Sequence, residues 1–426
     1  MKFSFFQNQL KPGVKPSEVF SWASYDFANS GYSTVVLTAI FNAYFVGVVT
    51  NNESWSTLVW TLVITLSNLI SIAVIPIISA RADRNANKKQ WLGLVTLICI
   101  TTTGALGWSQ AGDFLWASIF VILSNIAFNA GVVLNSAFLS ELALPKSFGR
   151  ISGWGWSFGY LGGIVCLGLC LMVVEAQKHE GAEVYVGSCM LITALVFLLG
   201  SLPMFFCVRE RSKPLVAQEK HPFEELKDTV REVIKENKNF AWLCLSGVFY
   251  QAGIAVVVTL SAVYAQIVMK FSMAETILLI LIVNFTAAFG AFALGFLHDI
   301  IGHKKNLIVT ILIWILTIVI AGFSESKIMF WISANFAGIA MGSSQSSGRA
   351  MVAALVAKNK LAQFYSLWNV SVWIANVLGP ITYGVITWIS GGNHRMAILI
   401  TGLFFVIGLS ALCPIKLQDQ KKIPSQ

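Results

Sequence analysis

Asp26 carries the chemistry that stands out most against its surroundings in this chain. It lies about seven residues into a long apolar run, ~10 Å from the start of that run if the segment is helical. A carboxyl group in such a place calls for a proton, a cation or hydrogen-bond donors. Tyr25, Asn29 and Tyr32 share its helical face. Three roles fit Asp26: a proton carrier, a counter-charge for a substrate amine, or a carboxylate hydrogen-bonded to neighbouring helices near a gate.

A second set ends in Arg349. Asn335, Gly338, Gly342, Gln345 and Arg349 recur at helical spacing. Arginine grips a carboxylate bidentately, so Arg349 suits either a substrate or an acid such as Asp26 or Glu141. Its place at the end of an apolar run favours the ion pair or gate. Asn125, Asn129 and Ser136 lie on one face of another run, and Tyr250 and Gln251 adjoin in a third. Amides donate and accept, which suits a zwitterion or a polyol, and equally suits bonding between helices. Charged positions between runs are Asp83, Arg84, Lys88, Lys89, Arg150, Asp299, Lys304 and Lys305. They read as gate or ion-pair residues.

No catalytic constellation accompanies these residues, and no cofactor or metal is expected. The seven cysteines include no CxxC pair and read as free thiols that pack as small apolar groups. Gly155-Trp156-Ser157-Phe158-Gly159 fits G-x-S-x-G, but no strand precedes it. There is no Walker loop, so the chain is not read as ATP-driven.

The elements that position these residues follow from composition. Of 426 residues, 56% are hydrophobic and 12% charged. An ordinary soluble domain has roughly 25% charged residues. The composition excludes a soluble enzyme, a nucleic-acid-binding domain and a disordered scaffold, and makes the lipid bilayer the surrounding medium. Twelve apolar segments can be drawn: 19–49, 55–80, 91–109, 115–140, 151–174, 185–207, 240–268, 273–297, 306–323, 329–356, 363–389 and 396–415, called spans 1 to 12 below. Each is long enough to cross hydrocarbon as a helix. Met1 to Leu10 does not read as a cleavable signal, so span 1 is expected to direct its own insertion.

Orientation comes from Lys and Arg. Of the 29, all but Lys178, Lys270, Lys327 and Arg395 fall in the tails, in the even-to-odd connections or, for Arg349, at the same end of span 10. That bias predicts both termini in the cytoplasm, and it accounts for the net charge of +9. The connector from Val208 to Asn239 carries eight Lys/Arg, and Phe223, Leu226, Val230, Val233 and Ile234 recur in it at helical spacing. It reads as an amphipathic surface helix joining two halves.

The halves repeat. Asp83, Lys88 and Lys89 after span 2 match Asp299, Lys304 and Lys305 after span 8 at an offset of 216, which also superposes Gly163 on Gly379. The fold class expected is an all-α membrane protein: twelve transmembrane helices in two pseudo-symmetric six-helix bundles, residues 1–207 and 240–426, with 208–239 between them.

The run Gly295-x-x-x-Asp299-x-x-Gly302-x-Lys304-Lys305 resembles the loop motif of the major facilitator superfamily. The first copy has Ser79 and Ala86 where glycines are expected. The stretch from Trp22 to Tyr32 resembles the opening of the vacuole-effluxer-like branch, as do 149–163 and Gln345 to Arg349, so the similarity extends over residues 18–415. This resemblance implies a secondary transporter working by alternating access as a monomer. It points less specifically to amino-acid efflux, with proton coupling through Asp26 expected; a drug, nucleoside or sugar is the alternative cargo, and a non-transporting sensor, lipid-handling or scaffold protein on the same fold is the competing reading. It also implies that spans 1, 4, 7 and 10 line a cavity that receives Tyr25, Asn29, Tyr32, Asn125, Asn129, Tyr250, Gln251, Asn335 and Gln345. By analogy the glycines from Gly149 to Gly163 would pack span 5 against span 8. Short tails and loops favour a bacterial inner membrane over a vacuolar one.

Overall fold

A backbone crossing hydrocarbon has to satisfy its N–H and C=O groups internally, and a helix does this within one segment. The apolar runs are helices in the structure, a computed structural model that describes residues 10–144, 148–211, 237–355 and 361–415. Span 1 opens as Pro16–Tyr32, followed by Ser56–Asn85, Lys88–Ala105, Phe114–Leu142, Phe148–Gln177 and Ala182–Cys207 for spans 2 to 6. Spans 7 to 12 are Lys238–Ile267, Met273–Ile301, His303–Phe323, Lys327–Leu355, Leu361–Ile389 and His394–Leu412. Among the described residues, 11 helices are long and apolar enough to cross a membrane. The further helix, Lys327–Leu355, has 29 residues and carries the small and polar side chains of span 10.

Large apolar side chains point outward in stripes. Leu62, Leu66 and Leu69 on span 2 and Leu191, Leu195, Leu198 and Leu199 on span 6 are exposed. On a water-facing surface such stripes are unfavourable, whereas against lipid they are the required covering.

Span 1 is not a simple helix. After Tyr32 it widens into π-helix over Ser33–Ala39 and Phe45–Val49, with the short helix Phe41–Tyr44 between. The wider turns appear as Ile40 N–H to Val35 O at 2.9 Å and Thr50 N–H to Phe45 O at 3.0 Å. Between them Asn42 donates to the Thr259 carbonyl of span 7 at 2.6 Å.

The chain forms two compact units. The first comprises Met1–Glu219 with Val258–Asn284 and Gly384–His394, so that it holds spans 1 to 6 and parts of spans 7, 8 and 11. Within it span 1 is enclosed by spans 4, 5 and 6. The second comprises Lys220–Val257, Phe285–Tyr383 and Arg395–Gln426. There, a Cβ on Gly379 would collide with the Ala252 carbonyl of span 7, and one on Gly290 with the Ile339 carbonyl of span 10. Close backbone crossings of this kind need glycine.

The glycines of span 5 serve the same purpose, but against span 1. A Cβ at Gly155 would meet Asp26 and Trp22, at Gly159 Ser30, at Gly162 the Phe27 carbonyl, and at Gly163 Thr34. These contacts of the stripe lie within the first unit. The loop repeat holds in geometry as well. Ala86 has φ 51° and Gly302 φ 84°, so both copies of the loop pass through a positive φ two residues before the first lysine; Gly302, with ψ 162°, directly precedes span 9, whereas Asn87 does so for span 3.

Candidate functional site

Span 1 begins with Pro16 at its first turn and Glu18 turned back onto the Lys15 N–H at 3.1 Å. Both features favour a helix start. One turn on, the Trp22 indole N–H donates to the Asn135 carbonyl of span 4 at 2.8 Å. Span 1 is thereby fixed in rotation, and its polar side chains fan out to different neighbours.

The Tyr25 hydroxyl bonds Thr96 of span 3 at 2.8 Å, and the Tyr32 hydroxyl bonds Ser124 of span 4 at 2.8 Å. Both tyrosines are buried. Asp26 is partly buried, and its Oδ1 accepts from the Asn135 side-chain amide at 3.0 Å. Its Oδ2 lies over Gly155 of span 5, 2.6 Å from where a Cβ would stand. Among the described residues no basic side chain pairs with Asp26. Asn29 is 5% exposed, and neither atom of its amide has a hydrogen-bond partner among those residues.

The other polar faces are largely engaged between helices. Asn125 donates to Ser67 of span 2 at 2.6 Å, and Asn129 reaches Asn68 at 3.3 Å and Ser71 at 3.2 Å. In the second unit Tyr250 and Gln251 are buried, with the Tyr250 ring centroid 6.4 Å from that of Trp368. Asn335 donates to Trp331 of its own helix at 2.8 Å. The side chains of Gln345, Arg349, Asp83, Arg84, Arg150 and Asp299 lie outside the described residues.

Lys88, Lys89 and Lys304 tie helices together within their own units. Lys88 pairs with Glu141 of span 4 at 3.1 Å, both side chains under a tenth exposed. Lys89 donates to the Val208 carbonyl at the end of span 6 at 2.7 Å. Lys304 does the same at the end of span 12, to Cys413 at 3.0 Å and Ile415 at 2.7 Å. A cation at the C-terminal carbonyls of a helix is favourable on both hydrogen-bond and dipole grounds. Lys305 is exposed.

Three acid and base groups extend this tie beyond the residues singled out by sequence. Arg211 forks onto Glu18, with both N–O distances 2.8 Å, and its backbone N–H meets Glu141 at 2.5 Å. The Glu18 contact holds the Arg211 guanidinium proton above its ordinary value. Glu210 accepts from the Lys88 and Lys89 backbone amides at 2.7 and 3.2 Å, capping the start of span 3. Leu10 pairs with Ala143 as an isolated β-bridge, which brings the N-terminal arm to the same place. The first residues after span 6 are thus fastened to spans 1, 3 and 4.

Asn135 was the residue of the Asp26 site that pattern reading passed over in favour of Ser136, which is exposed and bonds Val132 of its own helix. The usable signal was the spacing of Ser124, Phe128, Gly131 and Asn135 along one face of span 4. That face meets Tyr32 twice, Tyr25 and Asp26 in turn.

A profile of the family described as "Vacuole effluxer Atg22 like" matches residues 42–423. The chain is 26% identical to the uncharacterized MFS-type transporter YxiO of Bacillus subtilis (strain 168), over 95% of this chain and 96% of that one. It is 21% identical to autophagy-related protein 22 of Kluyveromyces lactis, over 87% and 81% of the two chains. Among solved structures, a point mutant of the nucleoside transporter NupG superposes with a TM-score of 0.74 at 14% identity, covering 93% of this chain and 99% of that one. The inward-open xylose transporter XylE from E. coli superposes with 0.71 at 13%, covering 95% and 98%. Identities this low speak for the fold alone, and the fold they share is that of the major facilitator superfamily. With the family profile spanning most of the sequence, the chain belongs to the vacuole-effluxer Atg22-like family, as a bacterial-type member of the major facilitator superfamily.

Proposed function

We propose that this multi-pass membrane protein is a secondary active transporter that exports a small polar metabolite, an amino acid first among them, by alternating access coupled to protons. The family and the MFS-type relative support transport. The family description as an effluxer supports the direction. Asp26 carries the coupling: it is an acid inside span 1 with a single side-chain hydrogen bond and no basic partner among the described residues. Such a group binds and releases a proton without breaking a salt bridge.

Asn29 supports a zwitterionic substrate. Among the described residues its buried amide has a donor and an acceptor left over, which match a carboxylate and an ammonium group. Tyr25, Tyr32, Asn125 and Asn129 then act as the packed wall behind it, while Tyr250, Gln251, Asn335 and Gln345 are proposed as the contribution of the second half. Asp83, Arg84, Glu141, Arg150, Asp299 and Arg349 are proposed at the cytoplasmic gate, beside the lysine ties. The Lys/Arg bias supports cytoplasmic termini in a bacterial inner membrane. The working unit is proposed to be the monomer.

The test is Asp26→Asn in proteoliposomes. Gradient-driven flux of amino acids should be lost while counterflow persists, because exchange needs no net proton movement. Loss of both activities from folded protein would make Asp26 a structural residue.

A further inference from the structure

Asn135 is the residue nearest to Asp26 in chemistry, and half of its side chain is idle. Its Nδ2 donates to Asp26 Oδ1 at 3.0 Å. Its Oδ1 is buried and has no partner among the described residues, in a residue 1% exposed. A buried acceptor left unpaired is unfavourable unless something uses it at another time. Asn135 is also held firmly in place, because the Trp22 indole, one turn before Asp26, bonds its backbone carbonyl at 2.8 Å.

A primary amide can serve both charge states of a carboxyl neighbour. Through N–H it donates to a carboxylate, the arrangement in the structure. Turned over about its terminal torsion, it offers C=O to the O–H of the acid. We infer that Asn135 is the positioning residue of the Asp26 proton site: its amide bonds the charged form through Nδ2 and the protonated form through Oδ1. This deepens, and rests on, the reading of Asp26 as the proton carrier. The proton itself comes from and returns to water, and no other bond forms or breaks.

The groups around Asp26 leave this task to Asn135. On span 1, Glu18 is engaged by Arg211 and Tyr25 by Thr96. On span 4, Glu141 is engaged by Lys88. Span 5 brings Gly155 against Asp26; it also carries Tyr160, and Arg150, whose side chain lies outside the described residues. Span 6 ends in the exposed Cys207. Among the described residues no charged side chain is bonded to Asp26, and its one side-chain hydrogen bond comes from Asn135.

Infrared difference spectroscopy against pH, on purified protein in lipid, follows the C=O band of a protonated carboxyl group without any substrate. The band that Asp26→Asn removes belongs to Asp26. Asn135→Leu takes away a hydrogen bond that is stronger to the charged form than to the neutral one, so the midpoint of that band should move up by about one pH unit. Asn135→Asp keeps the shape of the side chain if the leucine variant fails to fold, and places a second carboxyl beside the first; the midpoint should again rise. In both variants the frequency of the band should change, because the acid loses or exchanges its acceptor. A band at wild-type midpoint and frequency in these variants would overturn the role of Asn135 and leave Asp26 as the proton site. If Asp26→Asn removes no band that titrates, the proton-site reading fails, and this inference with it.

Discussion

Gly162 sits where span 5 crosses span 1, and adding one methyl group there is a stringent test of that crossing. An alanine Cβ would fall on the carbonyl oxygen of Phe27, 2.6 Å from the carbonyl carbon and 2.8 Å from Cα. Ordinary contact begins at 3.4 Å, and all three atoms are backbone, so no rotamer change relieves the overlap. At Gly155 the same methyl would meet the Asp26 carboxylate at 2.6 Å and the Trp22 ring at 3.0 Å, and side chains can turn away. Gly168, on the same helix, has nothing within 4 Å. Overpacking costs about 1–3 kcal/mol. Glycine to alanine inside a helix returns up to about 1 kcal/mol. The net for Gly162→Ala should therefore be a loss of about 2 kcal/mol, at the upper end because backbone must move. Gly155→Ala should be near neutral in stability yet impaired in proton-driven flux, since Asp26 is displaced from Asn135. Gly168→Ala should be neutral or stabilised. Thermal unfolding of the three purified variants in one detergent measures the order. Equal unfolding temperatures for Gly162→Ala and Gly168→Ala would refute the crossing.

Ala86 holds a left-handed turn that disfavours alanine relative to glycine, so Ala86→Gly should stabilise the protein by about 1 kcal/mol, and Gly302→Ala should do the reverse, both read as shifts in thermal unfolding. Glu18→Arg should destabilise by about 3 kcal/mol by leaving a mostly buried, bidentate pair broken, and the double variant Glu18→Arg/Arg211→Glu should recover much of that loss. If the double variant is no better than the single one, the pair does not fasten the end of span 6. Lys304→Met should leave the carbonyls of Cys413 and Ile415 uncapped and speed backbone hydrogen exchange at the end of span 12, with span 6 unaffected.

The spans were legible because bilayer thickness sets their length and hydrocarbon sets their composition. The duplication was legible for a related reason. A loop that must turn sharply and then cap a helix end keeps its residue types, and Ala86 and Gly302 both carry a positive φ despite their different side chains. Helix rotation was harder to read. The residues Tyr25, Asp26, Asn29 and Tyr32 share one sequence face, yet the structure sends Tyr25 to Thr96, Asp26 to Asn135 and Tyr32 to Ser124, and leaves Asn29 without a partner among the described residues. In an apolar helix surrounded on several sides, hydropathy no longer marks which face meets which neighbour. The glycine stripe of span 5 shows the same limit: its spacing announces a close crossing without naming the partner, which is span 1. The π-helical widening after Tyr32 left no mark, since the residues there are as apolar as those of an ordinary turn. Glu18, Glu210 and Arg211 read as ordinary charges near chain ends. Only the fold brings them to the start of span 3 and the end of span 4.

The central claim is that the chain exports an amino acid against the movement of protons. The most direct measurement is flux of a mixed amino-acid pool from proteoliposomes, read by mass spectrometry with and without an imposed pH gradient. Saturable movement of particular amino acids that the gradient accelerates, and that Asp26→Asn renders indifferent to the gradient, is the predicted result. Folded protein that moves none of the pool, or moves it at the same rate with and without the gradient, would contradict it.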